Sequence, residues 1–228
     1  MGGFFSTDGL FYKIGTLIAD VCILGLVWLF FSIPLFTIGA STTALYYVVT
    51  RRISDREGYL VRDFWKSFRQ NFKKSTLVWL ITLVLIYVIY INIRNISLLG
   101  SLSVVFFPFQ ILILIEIAFV TLYVYAIIAR FEMSFKETLK TAFFMSNKHL
   151  FSSLLAVIWA FAVVILVYLF PPLFLFAMGL FAYAHAYLIM RIFRKYRPEI
   201  DREQNPEDED DPLPKKRGLF SRPDNRRR

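Results

Sequence analysis

One cysteine and two histidines are all that this chain of 228 residues offers to thiol and imidazole chemistry. Cys22 lies inside an apolar run, so there is no disulfide framework and no thiolate metal site. With only His149 and His185, a multi-histidine metal centre is excluded, and no metal or cofactor is expected. The His-Glu-x-x-His, Gly-x-Ser-x-Gly and Gly-x-x-x-x-Gly-Lys signatures are missing too, so the chain is not read as an enzyme. The first 16 residues lack a basic n-region and a small-residue cleavage site, so no cleavable signal peptide is expected. Residues 1–6 do fit the N-myristoylation pattern Met-Gly-x-x-x-Ser, a short pattern that is often met by chance.

Charge is also scarce over long stretches, and that scarcity defines the class. A spanning helix needs about 20 apolar residues. Clear spans lie at about 75–93, 103–129, 150–169 and 173–193, the last two separated by Pro171-Pro172, which cannot continue a helix. Hydrophobic residues make up 57% of the chain, where a soluble domain holds roughly 45–50%. The 25 Phe, 12 Tyr and 4 Trp suit lipid-facing and interfacial surface. The net charge of +9 is concentrated in membrane-flanking loops and a tail, so anionic lipid headgroups are the expected partner and nucleic acid is not.

Residues 10–52 admit either one span, at about 17–40, or a hairpin of 10–32 and 36–52 turning at Ser32-Ile33-Pro34. An internal comparison favours the hairpin. Sliding the sequence by 140 residues aligns 26–51 with 166–191, and ten of those 26 positions are identical, among them Gly39/Gly179, Tyr47/Tyr187 and Arg51/Arg191. The second copy contains a hairpin turn, so the first is read the same way. The predicted fold is therefore all-α: a polytopic membrane bundle of about six transmembrane helices in three hairpins, with two interfacial amphipathic helices. The membrane domain covers 1–193, and 194–228 form a charged tail. The five-span alternative differs only in where it puts residues 1–16.

Counting basic residues orients the chain. The loop at 51–74 holds eight Lys/Arg, the loop at 130–149 four, residues 191–228 twelve, and the three opposite turns only Arg94. Both termini are then cytosolic in a multi-pass membrane protein. The tail carries an acidic run, Glu207-Asp208-Glu209-Asp210-Asp211, then Lys215-Lys216-Arg217 and Arg226-Arg227-Arg228, punctuated by five prolines. With so little apolar surface it is expected to be disordered.

Two inner loops carry amphipathic patterns. In 60–72, Leu60, Val61, Phe64, Trp65, Phe68 and Phe72 share a face, with Arg62, Lys66, Arg69 and Lys73 around it. In 134–147, Phe135, Leu139, Ala142 and Phe143 form a stripe opposite Lys136 and Lys140. Such helices lie in the headgroup plane and orient the next span; Phe64, Trp65, Phe68 and Phe72 could also dock a partner.

A buried charge in a bilayer costs about 2.5–3.5 kcal/mol on insertion scales, so each one needs a reason. Glu116 falls near the middle of 103–129, His185 in the middle of 173–193 among Ala182, Ala184 and Ala186, and Asp20 in the first span. Two readings stand side by side. Glu116 and His185 could form a proton- or substrate-handling pair if their helices touch, or these groups could simply tie helices together by hydrogen bonds. Gly39, Ala40, Thr43 and Ala44 are read as a small-residue face that lets backbones approach.

At SIPLFTIGASTTALYYV (32–48) and EGYLVRDFWKSFRQNFKKSTLVWLI (57–81), the chain resembles the YesL-like family of bacterial integral membrane proteins, a domain of unknown function. Residues 131–150 and 191–199 resemble later segments of that family, so the resemblance covers about 4–199. Gly25 departs from it, since relatives often carry asparagine there. The resemblance implies an uncharacterised protein, many of whose relatives are encoded beside carbohydrate ABC importers and glycoside hydrolases. It brings no established site residues. The function it implies is an accessory or regulatory subunit associated with carbohydrate ABC import, touching the permease subunits. The alternative is a small autonomous transporter or channel with a Glu116/His185 site, which at this length needs a homo-oligomer.

Overall fold

The computed structural model describes residues 10–54 and 58–196. They form seven α-helices: α1 (Leu10–Phe31), α2 (Ile38–Ile53), α3 (Leu60–Arg94), α4 (Ser103–Arg130), α5 (Phe135–Lys148), α6 (Leu150–Leu169) and α7 (Phe174–Tyr196). Short 3-10 turns join α1 to α2, α3 to α4 and α6 to α7. The expected tail begins later than residue 194, because α7 runs on to Tyr196. The rest of the tail and the myristoylation pattern lie outside the described residues.

Among the described residues, five helices are long and apolar enough to cross a membrane: α1, α3, α4, α6 and α7. The chain is therefore a multi-pass helical bundle. The hairpin at 10–52 forms, with its turn where Ser32-Ile33-Pro34 predicts it. Thr37 fixes that turn by donating its hydroxyl to the carbonyls of Phe31 and Pro34, both at 2.6 Å. The Trp79 indole N–H donates to the Leu35 carbonyl at 2.8 Å, which ties the turn to α3. α2 itself has 16 residues, about 24 Å at 1.5 Å per residue, and is not among the five.

The segments 60–72 and 75–93 are not two helices but one, α3, of 35 residues. The pattern changes from amphipathic to apolar at Ser75, yet Asn71-Phe72-Lys73-Lys74 contains no helix breaker, so only the surroundings change and the backbone continues. The first amphipathic element is thus the rigid extension of a span. α5 does form as a separate helix, opened by a capping box in which Ser134 and Glu137 satisfy each other's backbone N–H groups.

α2 is the centre of the bundle. It runs antiparallel to α3: Gly39 lies against Ser75 and Trp79, while Arg51 reaches Asp63 at 3.6 Å. α7 runs antiparallel to α1 in the same way, with Gly25 against Leu175 and Phe176, Gly179 against Val21, and Tyr183 beside Asp20. Both glycines of the internal repeat therefore do the same job. A Cβ on Gly39 would lie 2.5 Å from the Ser75 carbonyl oxygen, and one on Gly179 would strike the Val21 carbonyl. At Gly25 a Cβ would lie 2.8 Å from the Leu175 oxygen, so a larger side chain has no room in this packing. The core comprises α2 from Gly39 to Thr50 (Tyr47 only in part), the last two turns of α4, and the inward face of α7 from Ala182 to Phe193.

Candidate functional site

Interior polar groups are joined in pairs and triads at several helix crossings along the bundle. Asp20 on α1 is almost wholly buried and accepts two hydrogen bonds from Arg52 on α2, Nε at 2.8 Å and Nη2 at 3.0 Å. The Tyr183 hydroxyl on α7 donates to the same carboxylate at 3.3 Å. This two-pronged guanidinium–carboxylate geometry fixes orientation as well as charge. Asp20 thus ties three helices, and its placement in an apolar span needs no further reason. Arg52 was assigned to a basic loop by sequence; its partner lies 32 positions earlier, across the hairpin turn. The signal available was the pairing of a lone acid in α1 with the arginines in the last turn of α2.

His185 on α7 is 1% exposed. Its Nδ1 is hydrogen-bonded to the Tyr46 hydroxyl of α2, with Phe181 stacked on the imidazole at 5.5 Å between ring centroids and Tyr123 edge-on at 6.3 Å. Glu116 takes a different partner: its Oε1 accepts from the Asn147 amide of α5 at 2.7 Å. The acid and the imidazole are therefore directed to separate neighbours, α5 and α2, and no acid–imidazole pair is assembled. Sequence reading missed Tyr46 and Asn147, because neither residue type is unusual at the end of a span.

Further pairs join other helices. The hydroxyls of Thr43 and Ser75 share a hydrogen bond at 2.8 Å where α2 and α3 touch. Ser153 on α6 donates to the Ser146 carbonyl at 2.9 Å and lies 3.3 Å from the Tyr123 hydroxyl. Among the described residues there is no group of three or more His, Cys, Asp or Glu that could hold a metal ion.

The first turns of α3 make a second candidate surface. Phe64 and Phe68, offered by sequence as docking residues, are buried against Phe31 at 5.4 and 5.2 Å between centroids. Phe72 is half-buried and packs edge-on against Phe68. Of that quartet only Trp65 faces outward, 45% exposed. Outward with it face Tyr59, Val61, Arg62, Lys66 and Arg69, and they line two adjoining shallow grooves. One is apolar, lined by Phe31, Tyr59, Val61, Arg62 and Trp65; the other is basic, lined by Arg62, Trp65, Lys66, Arg69 and Gln70. On α5 the buried stripe is Thr138, Thr141, Ala142, Met145 and Ser146, whereas Phe143, read by sequence as part of the apolar stripe of an interfacial helix, and Phe144 are exposed.

Outside the spans, His149 bridges α5 and α7 through Nε2 and the Tyr196 hydroxyl at 2.9 Å. Partial burial, and then the charges of Lys195 and Lys148, push its pKa below the ordinary histidine range. The capping hydrogen bonds from Ser134 hold the exposed Glu137 carboxyl below its usual range.

These observations define a multi-pass helical membrane protein in which several interior polar groups pair across helix crossings, while the buried Ser41, Gln110 and Tyr125 each keep a side-chain oxygen without a hydrogen-bond partner among the described residues. Residues 21–93 match the model of a family described as "Protein of unknown function, DUF624", the YesL-like family of uncharacterised membrane proteins, so the resemblance is shown over the second half of α1, all of α2 and nearly all of α3. No curated protein matches the chain. No solved structure matches it either.

Proposed function

We propose that this protein is an accessory or regulatory subunit that associates with a carbohydrate ABC importer in the bacterial cytoplasmic membrane. The observation that carries the reading is the pairing of Asp20, Arg52 and Tyr183, and of Tyr46 and His185, at helix crossings. Groups used in this way hold a scaffold in one arrangement; a translocation site needs polar groups turned toward a path. The separate partners of Glu116 and His185 weigh in the same direction. The sugar-importer part rests on the family resemblance alone. In this reading α2 is a sixth crossing, short because it is wrapped by α1, α3, α4 and α7, and both termini face the cytosol among anionic headgroups.

The test is in-membrane crosslinking of the tagged native protein, followed by mass spectrometry of what is captured. Recovery of ABC permease or solute-binding subunits is the expected result. Recovery of the chain with itself alone would defeat the accessory reading and favour an autonomous homo-oligomer. In that case Glu116→Gln and His185→Ala would be examined next for loss of transport at normal membrane levels.

A further inference from the structure

We infer that the basic and apolar grooves on the first turns of α3 bind this chain's own segment 207–214, Glu-Asp-Glu-Asp-Asp-Pro-Leu-Pro. The inference does not depend on which partner the protein has. Arg62, Lys66, Arg69 and Lys73 recur at spacings of four, three and four, which puts them on one stripe of the helix. All four are exposed, and among the described residues none takes part in an ion pair. Arg69 rests over the Trp65 ring at 5.9 Å, which holds its charge beside the groove.

The occupant is chosen by fit. From residue 62 to residue 73 the stripe covers about 16 Å at 1.5 Å per residue. The five consecutive acids at 207–211, extended at about 3.3 Å each, cover the same length. Pro212-Leu213-Pro214 follow immediately, and the apolar groove of Tyr59, Val61, Phe31 and Trp65 adjoins the basic one at the shared Arg62 and Trp65. An acidic stretch followed by an apolar one therefore meets a basic groove followed by an apolar one, with the segment antiparallel to α3. A bilayer surface would meet the cations but would not account for that order.

Reach is sufficient. Beyond Tyr183, α7 runs toward the end of the bundle where Arg52 closes α2 and α3 begins. From Tyr196 to α3 is about two interhelical spacings, roughly 20 Å. Residues 197–206 extend to about 33 Å. Tethering raises the local concentration of the segment to the millimolar range, so a weak site is occupied.

The experiment uses the full chain with Cys22→Ser, Tyr59→Cys and Pro212→Cys, a pair that the antiparallel register brings level, reconstituted in phosphatidylcholine vesicles and oxidised. A disulfide between the two new cysteines is expected. Changing residues 207–211 to their amides should lower the yield about tenfold, and about 0.5 M salt should lower it as well, because charge interactions then reach only a few ångströms. The same crosslink should form in phosphatidylglycerol vesicles. No crosslink in phosphatidylcholine, or a yield unchanged by the amide substitutions, would overturn the proposal. Loss of the crosslink in phosphatidylglycerol alone would assign the stripe to the anionic membrane and overturn it equally.

Discussion

α2 and the outer half of the α3–α4 hairpin are both helical and both flanked by spans, yet they have opposite compositions and opposite fates. The α2 residues Gly39-Ala40-Ser41-Thr42-Thr43-Ala44-Leu45 are small or polar for the most part, and every one is buried. Along α3 and α4, Leu83, Val84, Leu85, Ile86, Tyr87 and Val88, then Val104, Val105, Phe106, Phe107 and Phe109, are large and apolar, and every one is exposed. In water the assignment would be reversed. In lipid, chains gain nothing by hiding leucine from hydrocarbon, so association is decided by close backbone approach and interhelical hydrogen bonds. The inside of the α2 crossing is marked by glycine, alanine, serine and threonine, while the outer half of the α3–α4 hairpin carries residues that would make a soluble core.

The contrast is broken most severely by enlarging the inside. Gly39→Leu puts a branched side chain where even a Cβ would lie 2.5 Å from the Ser75 oxygen. It should cost about 3 kcal/mol or more and deplete folded protein in a detergent unfolding titration, whereas Val84→Leu on the exposed face should leave the midpoint unchanged. Asp20→Asn removes the charge that Arg52 and Tyr183 share; because Arg52 is partly exposed, a loss of about 2 kcal/mol is expected in the same titration. Tyr46→Phe deletes the hydrogen bond to His185 without leaving a void, so about 1 kcal/mol is expected. The smallest effect lies outside both regions. His149 is held neutral below its ordinary range, so the unfolded chain binds a proton that the fold resists. Stability should therefore be full above the ordinary histidine pKa and decline as pH falls below it. His149→Gln should flatten that slope, read as unfolding midpoints at acid and neutral pH.

Much of this architecture is legible in the chain. The spans read at 103–129, 150–169 and 173–193 fall within a few residues of α4, α6 and α7, because charge and paired prolines mark their ends. The 10–32/36–52 hairpin was readable from Pro34 and the repeated glycine. The unity of α3 was not: amphipathicity reports what surrounds a helix, and the change at Ser75 is one of environment. Phe64 and Phe68 were misplaced for a related reason, since an apolar face beside basic residues looks the same whether it meets lipid or Phe31. The polar site was half legible. Asp20 and His185 stand out as charged or titratable groups in apolar runs, but their partners Arg52 and Tyr46 are ordinary residues made specific only by helix crossings.

The continuity of α3 has a mechanical consequence. At about 1.5 Å per residue its 35 residues form a rod of about 52 Å, while the hydrocarbon layer is about 30 Å thick. A rod with one end held in hydrocarbon and the other packed along α2 and Phe31 is a lever that carries those neighbours with it. Bilayers of different thickness tilt their spans differently. A change of about 10° about Ser75 would sweep Leu60 sideways by about 4 Å, carrying the aromatic and cationic end with it. Membrane thickness is in this way converted into displacement on the far side of the headgroups, with no hinge to absorb it.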